Sequence, residues 1–346
     1  MIGRPTLTDR VAFFAPAFRA GPAPLYEYLT LRAAVELEEP TNPLTRSLEP
    51  FVSERPERFL WLRLLALVHR WVLAGELPEL AGFYPSAGGT EGPSSEAWDL
   101  FRTAVLARAG ELPELLTKPL QHNEVGRAAA LATGFLLLSR ETGLPLRLLE
   151  VGASAGLLLR WDHYLRSAWF PSMFDGDPPA VAGQARVVER RGCDLHPVDA
   201  TSVEGRLYLR SMAWADLVTH LQALDEAIAI CRQVPAEVDE ADGAEWVAKH
   251  ARPQAGTVTA IFHSLMRASG PPSSLVSIDE AIWQAARTAR TDAPVAHLRF
   301  EAPVDVVREV VDPTRLVEVR LTVWPGGEHR RLATCDVNGR HVRWLL

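Results

Sequence analysis

The chain has 346 residues, with 36 basic and 43 acidic side chains, a net charge of −7 and 47% hydrophobic residues. That apolar content excludes wholesale disorder, and neither the first 120 residues nor the remainder carries a Lys/Arg block suited to bulk nucleic-acid binding. Three scattered cysteines, Cys193, Cys231 and Cys335, exclude a disulfide framework and a cysteine zinc site, and the histidines form no metal-ligand spacing. From the N-terminus, MIGRPTLTDR has no apolar leader core, so a soluble, cytoplasmic protein is expected. The greasiest stretch, residues 59–74, is interrupted by Arg63, His69 and Arg70 and is too short to span a bilayer. It reads instead as a core helix stopped by Gly75, followed by a loop at residues 82–95 and a second helix over 95–109 that Ser94/Ser95 open and Gly110 closes. No alternating β-branched run occurs before residue 121, which predicts an all-helical N-terminal domain over 1–121.

The texture then changes. A helix is expected from near Asn123, as N-cap, through AAALATGFLLL to Gly143. LRLLEV at 146–151 reads as a buried strand, followed at once by a Gly/Ser/Ala turn and a helix from Leu157 to about Ala168. Strand-like and helical runs then alternate: a strand over 187–194, helical spacing at Leu217, Leu221, Leu224, Ile228 and Cys231, a buried strand over 257–262 and a helix over 278–290. Segments 295–300, 316–324 and 337–345 are separated by the turns Pro325-Gly326-Gly327 and Asn338-Gly339. This pattern predicts an α/β fold over 122–346, a mostly parallel sheet with an antiparallel C-terminal hairpin.

The segment EVGASAG (150–156) lies at a strand-to-helix turn, where outward backbone N–H groups suit an anionic or zwitterionic ligand. As a dinucleotide fingerprint it fails at two of three glycine positions, Ser154 and Leu157. As a nucleophile elbow, Gly152-Ala153-Ser154-Ala155-Gly156 fits G-x-S-x-G, and His263 completes a serine-hydrolase order. Neither reading explains Glu150, a carboxylate in an apolar strand that is costly to bury without a partner.

Glu150, Gly152, Ser154 and Gly156 together resemble motif I of class I S-adenosylmethionine-dependent methyltransferases. The resemblance implies a Rossmann-like methyltransferase-type sheet and S-adenosylmethionine as cofactor. In GCDLHP (192–197) it implies that Asp194 meets the ribose hydroxyls, and in VDEAD (238–242) that Asp242, or second Asp239, meets the adenine amino group. The interval between Gly156 and Asp194 is long, and residues 167–184, Pro/Gly-rich, account for the excess. EVGASAGLLLRWDHY, HNEVGRAAAL, RGCDLHPVD and FHS are further similar to an uncharacterised bacterial group, domain-of-unknown-function family 2332, over nearly the whole chain. Two departures from that family stand out: Leu158 where a polar residue is common, and Leu265-Met266-Arg267-Ala268-Ser269-Gly270 after the His-Ser pair.

Within this frame His263, at a strand end, is the candidate base, and Ser264 would orient a small-molecule acceptor. Arg127 would grip a carboxylate of the cofactor or substrate, with Glu124 three residues away on the same helix face. The helical N-terminal domain is expected to cap the cleft and select the substrate. A non-catalytic cofactor-binding or regulatory protein of the same fold remains the second reading, and a serine hydrolase using Ser154 the third.

Overall fold

The computed structural model describes residues 6–53, 59–116, 121, 123–176, 185–266, 272–302 and 317–345, which form two compact units, Met1–His122 with Ser202–Gln222, and Asn123–Thr201 with Ala223–Leu346. The first is helical throughout its described residues. Helix Leu60–Leu73 buries Trp61, Leu64, Leu65 and Val68, and Gly75 follows at φ +76°, the left-handed turn that releases the chain. Helix Ser95–Ala107 begins where Ser94 Oγ accepts from the Ala97 amide at 3.3 Å, and its Trp98 and Phe101 stack at 5.8 Å.

Residues 202–222 group with this unit for a reason invisible in local pattern. Helix Pro24–Glu36 starts after Ala23, which has no side chain able to cap it; Asp216 accepts from the Leu25 and Tyr26 amides at 2.9 and 3.3 Å instead. The Ser211 carbonyl is matched to Nδ1 of the fully buried His69 at 3.2 Å, so Nδ1 carries the proton and Nε2 accepts from Ser86 Oγ at 2.7 Å.

Burial, foremost, lowers the His69 pKa to about 4. A histidine with a depressed folded pKa binds fewer protons than in the unfolded chain, so its contribution to stability is lost as pH falls below about 6.5. We expect about 2 kcal/mol of loss between pH 7 and pH 5 from this group. Chemical denaturation at the two pH values should show it in the wild type and not in His69→Gln.

The second unit is built on one eight-stranded sheet: β1 Leu146–Val151, β2 Val187–Asp194, β3 Glu237–Glu240, β4 Val258–Ser264, β5 Val295–Glu301, β6 Val317–Trp324, β7 Glu328–Cys335 and β8 Arg343–Trp344. The spatial order is β3-β2-β1-β4-β5-β6-β7-β8. Pairs from β3 to β5 are parallel and those from β5 to β8 antiparallel, so the fold is α/β with a mixed sheet, parallel first and antiparallel at its C-terminal end. Every residue of β1 is buried, which is why its sequence is an almost unbroken apolar run.

Side chains alternate between the two faces of the sheet. On one face Leu148, Glu150, Phe262, Leu298 and Phe300 lie under helix Arg127–Thr142, where Gly134 sits against Leu298 and Phe135 meets the Phe262 ring at 5.1 Å. On the other, Leu149, Val151, Ile261 and Val295 pack with Trp246, Val247, Ile278 and Ile282, from helices Gly243–His250 and Pro272–Ala286.

Several boundaries differ from the sequence expectation. The helix before β1 starts at Arg127 rather than Asn123, because the Asn123 amide donates to Ser154 Oγ at 2.9 Å instead of capping. The helix expected over 157–168 is a 3-10 segment, Leu158–Arg166, broken at Arg160 (φ −110°, ψ 19°), whose guanidinium turns back to the Gly156 and Val234 carbonyls at 2.7 and 2.8 Å. After the 325–327 turn the main strand is β7, not 337–345. There Asp336 accepts from the Asn338 and Arg340 amides at 2.9 and 2.8 Å, closing a turn that leaves only β8 beyond it. Residues 177–184 of the long interval before β2 lie outside the described residues, as does Leu316.

Candidate ligand site at the strand ends

Glu150 stands next to last in β1, beside Gly192 of β2 and Phe262 of β4, and is 2% exposed. Its Oε2 has no hydrogen-bond partner among the described residues. Burial, and then the Asp194 carboxylate, push the Glu150 pKa well above the usual carboxylate range, while Arg160 and Arg127 pull it down. A buried carboxylate left without a donor is costly, and in the empty site it holds its proton. A cation brought against it restores the charge. Glu150 is therefore built for a positively charged or zwitterionic ligand.

The turn that follows has φ of +72°, +50° and +65° at Gly152, Ser154 and Gly156. A Cβ at Gly152 would collide with Met266 Sδ, and one at Gly192 would stand 2.6 Å from Ala153 Cβ, so these two glycines let the turn fold down onto its neighbours. The open amide cradle expected here is largely closed. The Gly152 and Ala153 amides both donate to the Cys193 carbonyl at 2.9 Å, Ser154 N to Asp194 Oδ2 at 2.9 Å, and Gly156 N to the Ala153 carbonyl at 2.6 Å. A phosphate nest needs those amides, whereas a ligand held by Glu150 does not.

Asp194 thus braces the turn, and its Oδ1 accepts from the His196 amide at 2.9 Å. Asp242 is the N-cap of helix Gly243–His250, accepting from the Ala244 and Glu245 amides at 2.9 and 3.2 Å. Asp239 takes the Trp246 indole N–H at 2.7 Å and Arg191 at 3.1 Å, and that indole bond, first, lowers its pKa. Both carboxylates expected to meet an adenine are engaged in holding that helix on the sheet.

Arg127 is 6% exposed; its Nε donates to the Val337 carbonyl at 3.0 Å and its Nη1 to Ser264 Oγ at 3.4 Å. Ser264 shares Glu150's face of the sheet. Glu124 precedes the helix rather than riding on it, accepting from the Gly126 amide at 3.1 Å, and reaches Arg127 as a neighbouring charge. His263 is different. The register puts it on the opposite face, 3% exposed, with Nδ1 against Glu301 Oε1 at 2.8 Å, an oxygen that also accepts from the Met266 amide at 2.8 Å. The structure accordingly gathers Glu150, Ser154, Asp194, Arg127 and Ser264, and leaves His263 and Asp242 apart from them. Arg267 to Gly270, where the family departure lies, are outside the described residues.

Two participants were absent from the sequence reading. Arg160, 5% exposed, locks the turn through the Gly156 carbonyl and is one of the two cations acting on Glu150. Its signal is an arginine inside the apolar run GLLLRW. Glu301 had no signal, because only the register brings it to His263.

The family model described as "Uncharacterized protein conserved in bacteria (DUF2332)" matches residues 8–344, and the chain belongs to that family. No curated protein matches it.

Proposed function

We propose that this chain binds S-adenosylmethionine at the strand ends and transfers its methyl group to a small molecule. The observation that carries the reading is Glu150, buried, unpartnered and set among a turn whose amides are already occupied. S-adenosylmethionine brings a sulfonium and an ammonium, the charges such a carboxylate accepts, and supplies an activated methyl group when bound. The order β3-β2-β1-β4-β5 supports it further: in doubly wound sheets ligands enter where the strand order reverses, here between β1 and β4, which Glu150 and Ser264 flank. Arg127, with Ser264 beside it, stands ready for the carboxylate end of a zwitterion.

One observation favours the second reading, a cofactor-binding protein without transfer chemistry. The candidate base His263 faces away and is held by Glu301. For Ser154, the described partner of the hydroxyl is Asn123 rather than a histidine, so a fluorophosphonate is expected to leave the protein unlabelled. No helix among the described residues is long and apolar enough to cross a membrane.

Thermal unfolding tests the cofactor directly. S-adenosylmethionine and S-adenosylhomocysteine at a hundred times Kd should each add about 2.7 kcal/mol, with NAD inert. The gain should vanish in Glu150→Ala. Absence of any shift at millimolar concentrations of both sulfur compounds would overturn the reading, and binding without turnover over a broad acceptor panel would select the non-catalytic form.

A further inference from the structure

A cleft of about 320 Å³ opens on the sheet face opposite Glu150, between helix Pro272–Ala286 and strands β5 to β7. Trp324 pairs with Val295, the first residue of β5, so the cleft lies toward the strand beginnings rather than the ends where the site above sits. Its helix wall is Asp279, Ile282 and Trp283, one stripe at spacings of three and four. Trp283 is 51% exposed, large for an indole with no partner to bury it, and the Arg287 guanidinium lies 5.1 Å from its ring.

The sheet wall supplies Trp324, Arg299 and His329. Arg299 Nη2 meets His329 Nε2 at 2.9 Å, and because a guanidinium only donates, Nε2 accepts. Nδ1 therefore carries the proton and donates to Thr322 Oγ1 at 2.6 Å. This network fixes a neutral imidazole and spends one donor of Arg299 on it, so the cation of the cleft is held in place by the fold. Burial and the charges of Arg299 and Arg320 keep the His329 pKa below its usual value, in keeping with that tautomer.

We propose a second ligand site here, for a small aromatic carboxylate: a ring against Trp283 and Trp324 and a monoanion on Arg299. The volume suits about ten heavy atoms, at roughly the 30 Å³ each water occupies in the liquid. Arginine matches a carboxylate through paired N–H donors, and indole faces suit a flat ring. Asp279 on the opposite wall opposes a doubly charged phosphate, which distinguishes the two anions. The site stands on a face and a set of residues separate from the proposed cofactor site, and does not depend on it.

Isothermal titration calorimetry of the full chain with benzoate, benzamide and inorganic phosphate tests this. Benzoate should bind saturably at submillimolar concentration, benzamide at least tenfold more weakly, and phosphate should neither bind nor compete. Arg299→Gln and Trp283→Ala should each weaken benzoate at least fivefold; Trp283 is exposed, so its variant folds even if the arginine variant does not. No saturable heat up to 10 mM benzoate, equal binding of benzamide, competition by phosphate, or benzoate binding unchanged in Trp283→Ala would each overturn the proposal.

Discussion

Glu150→Gln is expected to unfold at a higher temperature than the wild type at pH 7–8 while binding S-adenosylmethionine at least a hundredfold more weakly. Burial and the Asp194 charge raise the Glu150 pKa in the folded protein. A group with a raised folded pKa contributes stability that is complete below its unfolded value, about 4.3, and is lost as pH rises through the folded value. At neutral pH the native state must therefore hold a proton that the unfolded chain has released, or keep a charge in an apolar strand. Glutamine removes that obligation while keeping the shape. The gain should be about 1 kcal/mol or more, a few degrees in Tm, and the fall of wild-type stability from pH 5 to pH 8 should flatten in the variant. Binding moves the other way, because deleting one partner of a buried ion pair costs about 3–5 kcal/mol. A variant with unchanged Tm and an unchanged pH profile would mean that Glu150 carries no such penalty.

The second large effect concerns a pair of glycines placed back to back. Gly339 has φ +77°, and a Cβ there would stand 2.5 Å from the Arg127 N and Cα atoms and 2.6 Å from the Gly126 carbonyl carbon. On the other side, a Cβ at Gly126 would meet the Asn338 oxygen at 2.5 Å. These obstacles are backbone and cannot swing aside. Gly339→Ala should cost about 1–2 kcal/mol for the left-handed conformation and roughly 1–3 kcal/mol more for the overpacking. Gly256 is the control: at φ +78° it has nothing within 4 Å of an added Cβ, so Gly256→Ala should cost only the conformational part. Denaturant unfolding of the two variants isolates the contact, and equal losses would refute it. Because the obstructed atoms belong to Arg127, the first residue of its helix, Gly339→Ala should also weaken cofactor binding.

Much of this architecture was readable from one dimension. LRLLEV followed by a Gly/Ser/Ala turn announced β1 and Glu150, since a strand buried on both faces must be apolar and a lone carboxylate in it stands out. Gly75 and Gly143 marked helix ends by the conformation only glycine adopts cheaply. What could not be read depended on partners distant in sequence. Asp239 looked like a ligand carboxylate until Arg191, 48 positions earlier, was found bonded to it. His263 looked like a base at a strand end, but its face follows from pairing with β5, and with that pairing comes Glu301, 38 positions away. The amides of the motif turn were expected to open outward because nothing local revealed that Cys193 and Asp194 occupy them. Asp216, capping a helix 190 residues upstream, is the same lesson in the helical unit.

The sheet also ends, on both sides, in its two shortest strands. β3 has four residues, three of them the acids Glu237, Asp239 and Glu240, and β8 has two. An open sheet invites a neighbour's strand wherever its border is long, flat and uncharged. One border here repels like-charged company and the other is too brief to template a ladder. Copies of this chain should therefore stay in solution without zipping edge to edge, even at the concentrations that crystallisation or crowded expression imposes.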